Sequence, residues 1–478
     1  MIFTSFEFVP FFALVVLIRS CLRNLTAEKW LLLAASICFY LSWSIPCVFL
    51  ILFTSISDYL IGRKLGLATD RTSRRRFLVL SLVINLGLLA FFKYSNFFAE
   101  NLFAALGAMG WRLHPFHFNI ILPPAISFYT FASMSYMLDL YYERIPVCRS
   151  VRDYTLFITF FPKLLSGPIV RARELLPQFE ERVHVNAEDF EIGLSYFLSG
   201  SVKKLVIADQ IAGHVNLIFA SPTQYDGLTL LMGVLGYTTQ IYCDFSGYSD
   251  MAIGCARILG YRFPENFQMP FSSVTITEFW RRWHITMSQW FRDYLFLPLE
   301  IATRDNPIPT LRSSINMTIT MLLCGLWHGA SWNFVIWGGI HGAALAIHKT
   351  WAAWNPLAAV KNQRIFQPLW NLFSRALTLG VVLLAMIFFR AQSFADASSY
   401  LSRLLSWAPT GMRLNSPYIL AGVAIVFLVH LLVNKDRNLA QEIPQWKLVP
   451  RILAYASLLT MLALVGGTDA KSFIYFQF

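Results

Sequence analysis

Long apolar stretches alternate with short polar segments along the 478-residue chain. A run of about 20 apolar residues is long enough to cross a bilayer as a helix. A membrane barrel would instead show segments of roughly ten residues with alternating hydrophobicity. The pattern therefore predicts an all-α polytopic membrane protein with about 11 transmembrane helices, in a single membrane domain over residues 1–478. The apolar runs are 5–18, 30–43, 47–61, 77–92, 119–141, 190–220, 227–255, 313–348, 374–389, 417–433 and 452–467.

The segment 154–170 is apolar but broken by Pro162, Lys163, Gly167 and Pro168. Irregular backbone persists at membrane depth only where protein or a wet cavity covers it. We therefore predict a re-entrant segment that enters the membrane and returns to the same side.

Residues 277–299 favour an interfacial amphipathic helix with Thr277 as its N-cap. At about 100° per residue, polar side chains gather opposite an aromatic face. His284 lies at the edge of that face, so we expect it to point into protein. The aromatic face comprises Trp280, Trp283, Met287, Trp290, Phe291 and Tyr294, and the polar face comprises Arg282, Thr286, Gln289 and Asp293.

The run 313–348 contains no Lys, Arg, Asp or Glu. Its length suits two spans of about 18 residues each. The sequence therefore predicts a helical hairpin whose turn is 329–331, with His328 deep in the membrane or toward its outer leaflet.

Composition supports a membrane protein, since 56% of the residues are hydrophobic and 14% are charged, against roughly 25% charged in soluble domains. Mean hydropathy is +0.53. The 39 Lys and Arg residues outnumber 27 Asp and Glu, as expected for basic cytoplasmic loops. No basic soluble domain is present for nucleic acid. The seven cysteines form no C-x-x-C pair, which argues against a disulfide framework or a metal site.

Loop charge predicts the orientation. The basic stretches 63–76 and 257–312 should be cytoplasmic. Counting spans from them places the N-terminus outside the cell, together with loops 94–117, 221–226 and 391–416. None of these loops is large enough for a domain of about 40–50 residues.

His328 is the leading candidate for chemistry, because an ionisable residue within a membrane segment is a functional candidate by default. The alternative is a hydrogen-bonded core histidine, and the same alternative applies to His284. Gly325 and Gly329 leave room either for a ligand or for close helix packing.

Several motifs together resemble the membrane-bound O-acyltransferases, and specifically their bacterial alginate O-acetylase branch. The two most specific are "FWRRWHITMSQWFRDYLFLPL" and "GLWHGASWNFVIWGGIHG". The resemblance extends over nearly the whole chain in the expected order. It also includes residues 122–142, 161–179, 202–209, 242–267 and 387–397 and the C-terminal "FIYFQF".

The resemblance implies a membrane-bound O-acyltransferase fold, with His328 as the catalytic histidine and His284 as a second histidine of less settled role. A neutral buried imidazole suits His328 as general base, and His284 could orient the donor or hydrogen-bond the thioester carbonyl. Trp327 and Trp332 are expected to wall the site against water.

A polar cluster interrupts the apolar run 227–255. Its members are expected either to line a donor channel or to cap a helix break, and they are Asp244, Ser246, Tyr248, Ser249 and Asp250. Lys203 and Lys204 are expected either to meet a phosphate-bearing donor or to extend toward the membrane interface.

Two residues depart from the branch's pattern. Glu300 stands where a glycine is expected, and Ala125 stands where glycine is frequent. The loop after Pro298 should therefore be built differently.

The function implied is transfer of acetyl groups from acetyl-CoA, with no bound cofactor or metal, to hydroxyls of an exported alginate- or cellulose-like polysaccharide. The expected location is the bacterial inner membrane, with a secreted acetyltransferase as partner. Alternatives are peptidoglycan O-acetylation and D-alanyl transfer to teichoic acid. A transporter is the alternative outside this class, but paired broken helices in two related halves are not seen.

Overall fold

The computed structural model describes residues 1–111, 116–305, 308–354 and 366–465. These residues form helices and connecting loops, which confirms the all-α class, and their one isolated β-bridge joins Tyr225 to Met412. The end of the apolar run 452–467, part of loop 94–117 and the motif "FIYFQF" lie outside the described residues. The α-helices are α1 (Phe8–Cys21), α2 (Leu25–Leu41), α3 (Ile45–Leu67), α4 (Arg71–Leu89), α5 (Ser95–Ala108), α6 (Ile126–Tyr141), α7 (Val151–Thr159), α8 (Phe161–Leu164), α9 (Ala172–Leu175), α10 (Ala187–Ser201), α11 (Asp209–Ala220), α12 (Gly227–Ile258), α13 (Ile276–Arg282), α14 (Ile285–Phe291), α15 (Leu297–Ala302), α16 (Pro309–His328), α17 (Trp332–Trp354), α18 (Phe366–Arg390), α19 (Phe394–Leu405), α20 (Pro417–Leu432), α21 (Leu439–Glu442) and α22 (Leu448–Val465).

The chain divides into two compact units. One contains Met1–Phe197 and Met251–Pro264, and the other contains Leu198–Asp250 and Glu265–Phe478. Both candidate histidines, His284 and His328, belong to the second unit. A single domain over residues 1–478 stays a prediction.

Four helical stretches in the described part of the chain are long and apolar enough to cross a membrane: Ile45–Leu67, Arg71–Ala108, Phe366–Arg390 and Leu448–Val465. Phe8–Cys21 and Pro417–Leu432 are apolar but shorter. The predicted count of about 11 is therefore not confirmed. Several predicted runs form helices that are broken or that carry buried charged groups.

The last of these helices, α22, shows what faces the lipid. No residue in its most apolar 18-residue stretch is buried within the protein. Large apolar side chains, such as Leu453 and Leu464, are more than half exposed along it. A soluble monomer rarely exposes such a continuous apolar surface, so this helix is suited to contact lipid.

The broken segment 154–170 lies inside the first unit. Helix α7 ends at Thr159, α8 follows at Phe161, and the next residues are irregular. Lys163 is 5% exposed, and its Nζ lies 3.9 Å from the centre of the Phe157 ring. Protein therefore covers this irregular backbone, as the re-entrant interpretation requires, although its depth in the membrane stays a prediction.

The prediction of one continuous helix over 277–299 is wrong. Helices α13 and α14 are separated at Trp283 and His284, and a π-helical turn, Arg292–Phe296, follows α14. Thr275 caps α13 in place of Thr277, because its hydroxyl accepts the Glu278 N–H at 3.1 Å.

The aromatic face of this segment packs inside the protein. Trp280, Trp283, Met287 and Trp290 are each at most 8% exposed. Arg282, predicted on the polar face, is also buried and donates to the side chains of Glu278 and Asp436. The polar face is only partly buried, since Gln289 is exposed, so an interfacial position for this segment stays a prediction.

The hairpin over 313–348 is confirmed, with α16 ending at His328 and α17 beginning at Trp332. Its helices meet backbone to backbone. A Cβ on Gly325 would lie 2.1 Å from the Phe334 carbonyl oxygen, and a Cβ on Gly338 would lie 2.2 Å from the Met321 carbonyl oxygen.

Helix packing, and not a ligand, also explains Gly329, the glycine in the predicted turn. A Cβ on Gly329 would lie 2.1 Å from the Phe334 ring. Protein atoms fill the space beside both Gly325 and Gly329. Of the two alternatives that the sequence leaves open, room for a ligand or close helix packing, the structure therefore supports close packing.

Segments predicted to share a side of the membrane contact one another. The Met412 N–H donates to the Gln224 carbonyl at 2.7 Å, joining two predicted outer loops. Thr277, inside the predicted cytoplasmic stretch 257–312, has its Oγ1 3.0 Å from Nδ1 of His348, the residue that ends the uncharged run 313–348.

Both departures from the family pattern have local explanations. Ala125 has φ 62° and ψ 11°, a left-handed conformation in which glycine has no Cβ penalty. Glu300 lies in α15, accepts from Asn316 Nδ2 at 2.8 Å and is 3.4 Å from Arg312, so it ties α15 to α16.

Candidate active site

His328 is the last residue of α16 and is 4% exposed. Three aromatic rings enclose its imidazole. Ring centroids lie 4.9 Å from Trp327, 4.9 Å from Trp337 and 5.2 Å from Phe389, each at a steep interplanar angle. Such surroundings exclude water.

His284 occupies the break between α13 and α14 and is fully buried. Its backbone has φ 42° and ψ 55°, the left-handed conformation that is uncommon outside glycine, asparagine and aspartate. The Ile285 N–H donates to the Asn266 carbonyl oxygen at 2.8 Å. A distant segment therefore holds the chain in the shape that points this imidazole inward.

Asn266 also fixes the orientation of the His284 ring. Its Oδ1 accepts from the Thr286 N–H at 3.3 Å and lies 3.1 Å from His284 Nδ1. Its Nδ2 donates to Ser249 Oγ at 3.0 Å. Because a backbone N–H can only donate, this oxygen is an acceptor, and His284 Nδ1 must carry the proton in their hydrogen bond.

His284 is therefore a neutral imidazole with its Nε2 lone pair available. Burial lowers the pKa of His284 to about 3. Nε2 is buried and has no hydrogen-bond partner among the described residues. This tautomer can accept a proton or a hydrogen bond at Nε2, but it cannot donate there to a carbonyl oxygen.

Trp327 connects the two histidines. Its ring centroid lies 6.2 Å from that of His284 and 4.9 Å from that of His328. The structure therefore brings the two histidines predicted from sequence close to one buried indole, although they are 44 positions apart (328 minus 284) in the chain.

Sequence comparison decides the family. The profile of MBOAT, the membrane-bound O-acyltransferase family, matches residues 142–388, a region that contains both histidines. The chain belongs to the membrane-bound O-acyltransferase family.

Similar membrane-bound O-acyltransferases include a probable alginate O-acetylase AlgI from Azotobacter vinelandii, 44% identical over 73% of this chain and 69% of that protein. A protein of the same name from Pseudomonas syringae pv. tomato is 39% identical over 90% of this chain and 80% of its own length. A peptidoglycan O-acetyltransferase from Helicobacter pylori is 32% identical over 84% of this chain and 78% of its own length. The chain is thus an O-acyltransferase.

The aromatic wall around His328 differs from the prediction in one residue. Trp327 is 5% exposed and contacts both histidines, but Trp332 is 58% exposed and cannot seal a buried site. Trp337, five residues further along α17, supplies the contact with His328. The missed signal is the spacing of Asn333, Trp337 and His341, which places all three on one face of α17.

The polar cluster on α12 forms ion pairs with the π-helical turn Val202–Ala208. Lys203 Nζ lies 2.6 Å from Asp250 Oδ2. Lys204, 2% exposed, lies 2.8 Å from Asp209 and 2.6 Å from Asp244. Lys204 therefore does not extend toward the membrane interface.

Ser246 and Tyr248 lie between the two paired aspartates and are buried as well. The ion pairs give the cluster a structural role, since a buried charge needs a partner. A role in a donor channel stays a prediction for Asp244, Ser246, Tyr248, Asp250 and Lys203.

Proposed function

We propose that this acyltransferase moves acetyl groups from acetyl-CoA to hydroxyl groups of an exported alginate- or cellulose-like polysaccharide. The observation that carries the proposal is a buried histidine, His328, enclosed by aromatic rings at the turn of an uncharged hairpin. The similarity to proteins named alginate O-acetylase supports the acceptor class.

In the proposed reaction, His328 takes the proton of the acceptor hydroxyl as its oxygen attacks the thioester carbonyl carbon. The tetrahedral intermediate then expels the thiolate, which recovers the proton from the imidazolium. A base of this kind typically contributes about 10²–10⁴-fold to the rate. The surrounding aromatic rings exclude the water that would otherwise hydrolyse the thioester.

His284 is proposed to accept a hydrogen bond from substrate through Nε2. This assignment follows from its tautomer, and it replaces the expectation that His284 hydrogen-bonds the thioester carbonyl. The polar cluster around Asp244 and Lys203 is proposed to border the route of the acyl donor, where its ion pairs would keep a polar surface within an apolar region.

The acceptor can be tested in cells that lack this protein. We expect the exopolysaccharide of such cells to lose its ester-linked acetyl groups and to regain them on complementation, while peptidoglycan acetylation stays unchanged. Base-released acetate from each purified polymer is the measurement. Loss from peptidoglycan alone would favour the peptidoglycan alternative, and loss of D-alanine from teichoic acid would favour the other. Unchanged acyl content with altered uptake of a labelled solute would favour a transporter.

A secreted acetyltransferase is proposed as partner, because the predicted outer loops are short and hold no domain that could bind a polymer along its length. The purified chain with acetyl-CoA alone should acetylate the polymer poorly, and a secreted acetyltransferase encoded nearby should restore transfer. Incorporation of radiolabelled acetyl into polymer measures both. Efficient transfer by this chain alone would contradict the partner and make it a complete transferase.

We further propose an inner-membrane location with the N-terminus outside the cytoplasm. Cysteines that replace the exposed residues Arg75 and Arg304 should resist an impermeant thiol reagent in intact cells, and one that replaces Thr410 should react. Cys21 and Cys38 are exposed, so both are changed to serine beforehand. The opposite labelling pattern would reverse the orientation.

A further inference from the structure

A third buried histidine lies beside the two that sequence motifs identify. His341 is 0% exposed and occupies the same face of α17 as Trp337. Its ring centroid lies 4.8 Å from that of Trp337 and 5.0 Å from that of Trp280. Trp337 in turn lies 4.9 Å from His328. The Trp337 indole thus contacts both this histidine and the proposed base.

These rings carry polar atoms that the protein leaves without hydrogen bonds. Nδ1 and Nε2 of His341 and Nε1 of both Trp280 and Trp337 are buried and have no partner among the described residues. Buried polar groups in native proteins are nearly always paired with protein, water or ligand. Four such atoms in one aromatic cluster therefore point to a bound group that completes them.

The chemistry of the cluster selects the kind of group. An indole nitrogen only donates, and a neutral imidazole donates from one nitrogen. The cluster thus offers up to three N–H donors and suits a strong acceptor. In acyl transfer the acceptor that gains charge is the carbonyl oxygen, which becomes an oxyanion in the tetrahedral intermediate.

We propose that Trp280, Trp337 and His341 form a hydrogen-bond-donating subsite beside His328 that holds the acyl carbonyl oxygen during transfer. This inference rests on the proposed function. As the hydroxyl oxygen bonds to the carbonyl carbon, the carbonyl π electrons move to the oxygen held by the subsite, and the hydroxyl proton moves to His328. When those electrons return, the carbon–sulfur bond breaks and the thiolate takes the proton.

The opposing explanation is that the indole N–H groups are directed at neighbouring ring faces. Several of these rings meet at steep angles, 85° between Trp280 and His341 and 76° between Trp280 and Trp337. Such N–H to ring contacts are weak but recurrent. In that case the nitrogens serve packing, and a phenyl ring could replace each indole at little catalytic cost.

The test uses inverted membrane vesicles from cells that produce the exopolysaccharide, supplied with radiolabelled acetyl-CoA. Initial rates of base-labile acetyl incorporation into polymer give kcat and KM for Trp280→Phe, Trp337→Phe, His341→Phe and His341→Gln. Removing an oxyanion donor typically lowers kcat about 10²–10³-fold. We expect losses of that order for His341→Phe, with KM within about threefold, because the contact strengthens only in the transition state.

His341→Gln retains an N–H donor and should recover part of the lost kcat relative to His341→Phe. His430→Phe is the matched control. His430 is also a buried histidine among aromatic rings, but its Nδ1 lies 2.7 Å from the Val426 carbonyl on its own helix. The kcat of the His430→Phe variant should equal that of the unaltered chain. Quantitative immunoblots compare the protein amounts.

Retention of kcat in Trp280→Phe, Trp337→Phe and His341→Phe alike would overturn the subsite and leave the proposed function standing. An equal loss in His341→Phe and His430→Phe would also overturn it, since it would indicate a general packing effect. If the unaltered chain transfers no acetyl group, the proposed function itself fails, and the subsite fails with it.

Discussion

Replacing His328 with alanine is expected to lower acyl transfer by about 10²–10⁴-fold, to the background of the assay. The physical reason is that His328 is the proposed acceptor of the hydroxyl proton, and alanine has no basic nitrogen to take its place. His328→Gln should fail as well, because an amide fills much of the volume but cannot take the hydroxyl proton. Acetyl content of the exopolysaccharide in complemented cells is the measurement.

The matched control is His430→Gln, a change at a buried histidine whose ring is hydrogen-bonded within its own helix. Immunoblots of washed membranes show whether each variant is made and inserted. Near-normal acetylation by either His328 variant would contradict its assignment as general base. Loss in the control to the same extent would mean that any buried histidine is needed for folding.

The second large loss of activity is expected on replacing Asn266, which contacts His284 and not the proposed reacting groups. Asn266→Leu removes the oxygen that holds Nδ1 of His284 at 3.1 Å, so the ring loses its fixed tautomer. Outer partners of this kind typically contribute about 10–100-fold. We expect kcat to fall within that range, measured as acetyl incorporation in membrane vesicles.

A pH profile separates this role from simple packing. In Asn266→Asp, a carboxylate beside Nδ1 would favour the imidazolium and raise the pKa of His284 from about 3. Because the neutral ring is the active form, protonation would then inactivate the enzyme at higher pH. The acidic limb of kcat should therefore move upward. An unchanged limb together with normal kcat in Asn266→Leu would exclude a positioning role.

Sequence alone predicts the hairpin and the position of His328, because a long uncharged run with glycines at its centre has few ways to fold in a membrane. It fails at residues 277–299, where the aromatic period continues smoothly across a backbone break. The break depends on Asn266, 18 residues from His284 along the chain, and neither proline nor glycine marks it. Local periodicity cannot reveal a helix end that a distant segment imposes.

In the candidate site, too, contacts between chain neighbours could be predicted from the sequence, and contacts between distant elements could not. Trp327 adjoins His328 in the chain and was predicted, whereas Trp337 reaches His328 only through the packing of one hairpin helix on the other. Lys204 was expected near an interface, but its partners, Asp209 and Asp244, become neighbours only once the π-helical turn has formed against α12. Pairings across elements depend on geometry that spacing in the sequence does not encode.

The backbone contacts at Gly325 and Gly338 determine how far α16 can slide along α17. A slide of one helical turn would bring Met321 to the place of Gly325, and its side chain would collide with the Phe334 carbonyl. The register of the two helices is thereby locked, and with it the height of His328 relative to Trp337. Two residues without side chains thus set the alignment on which the proposed proton transfer depends.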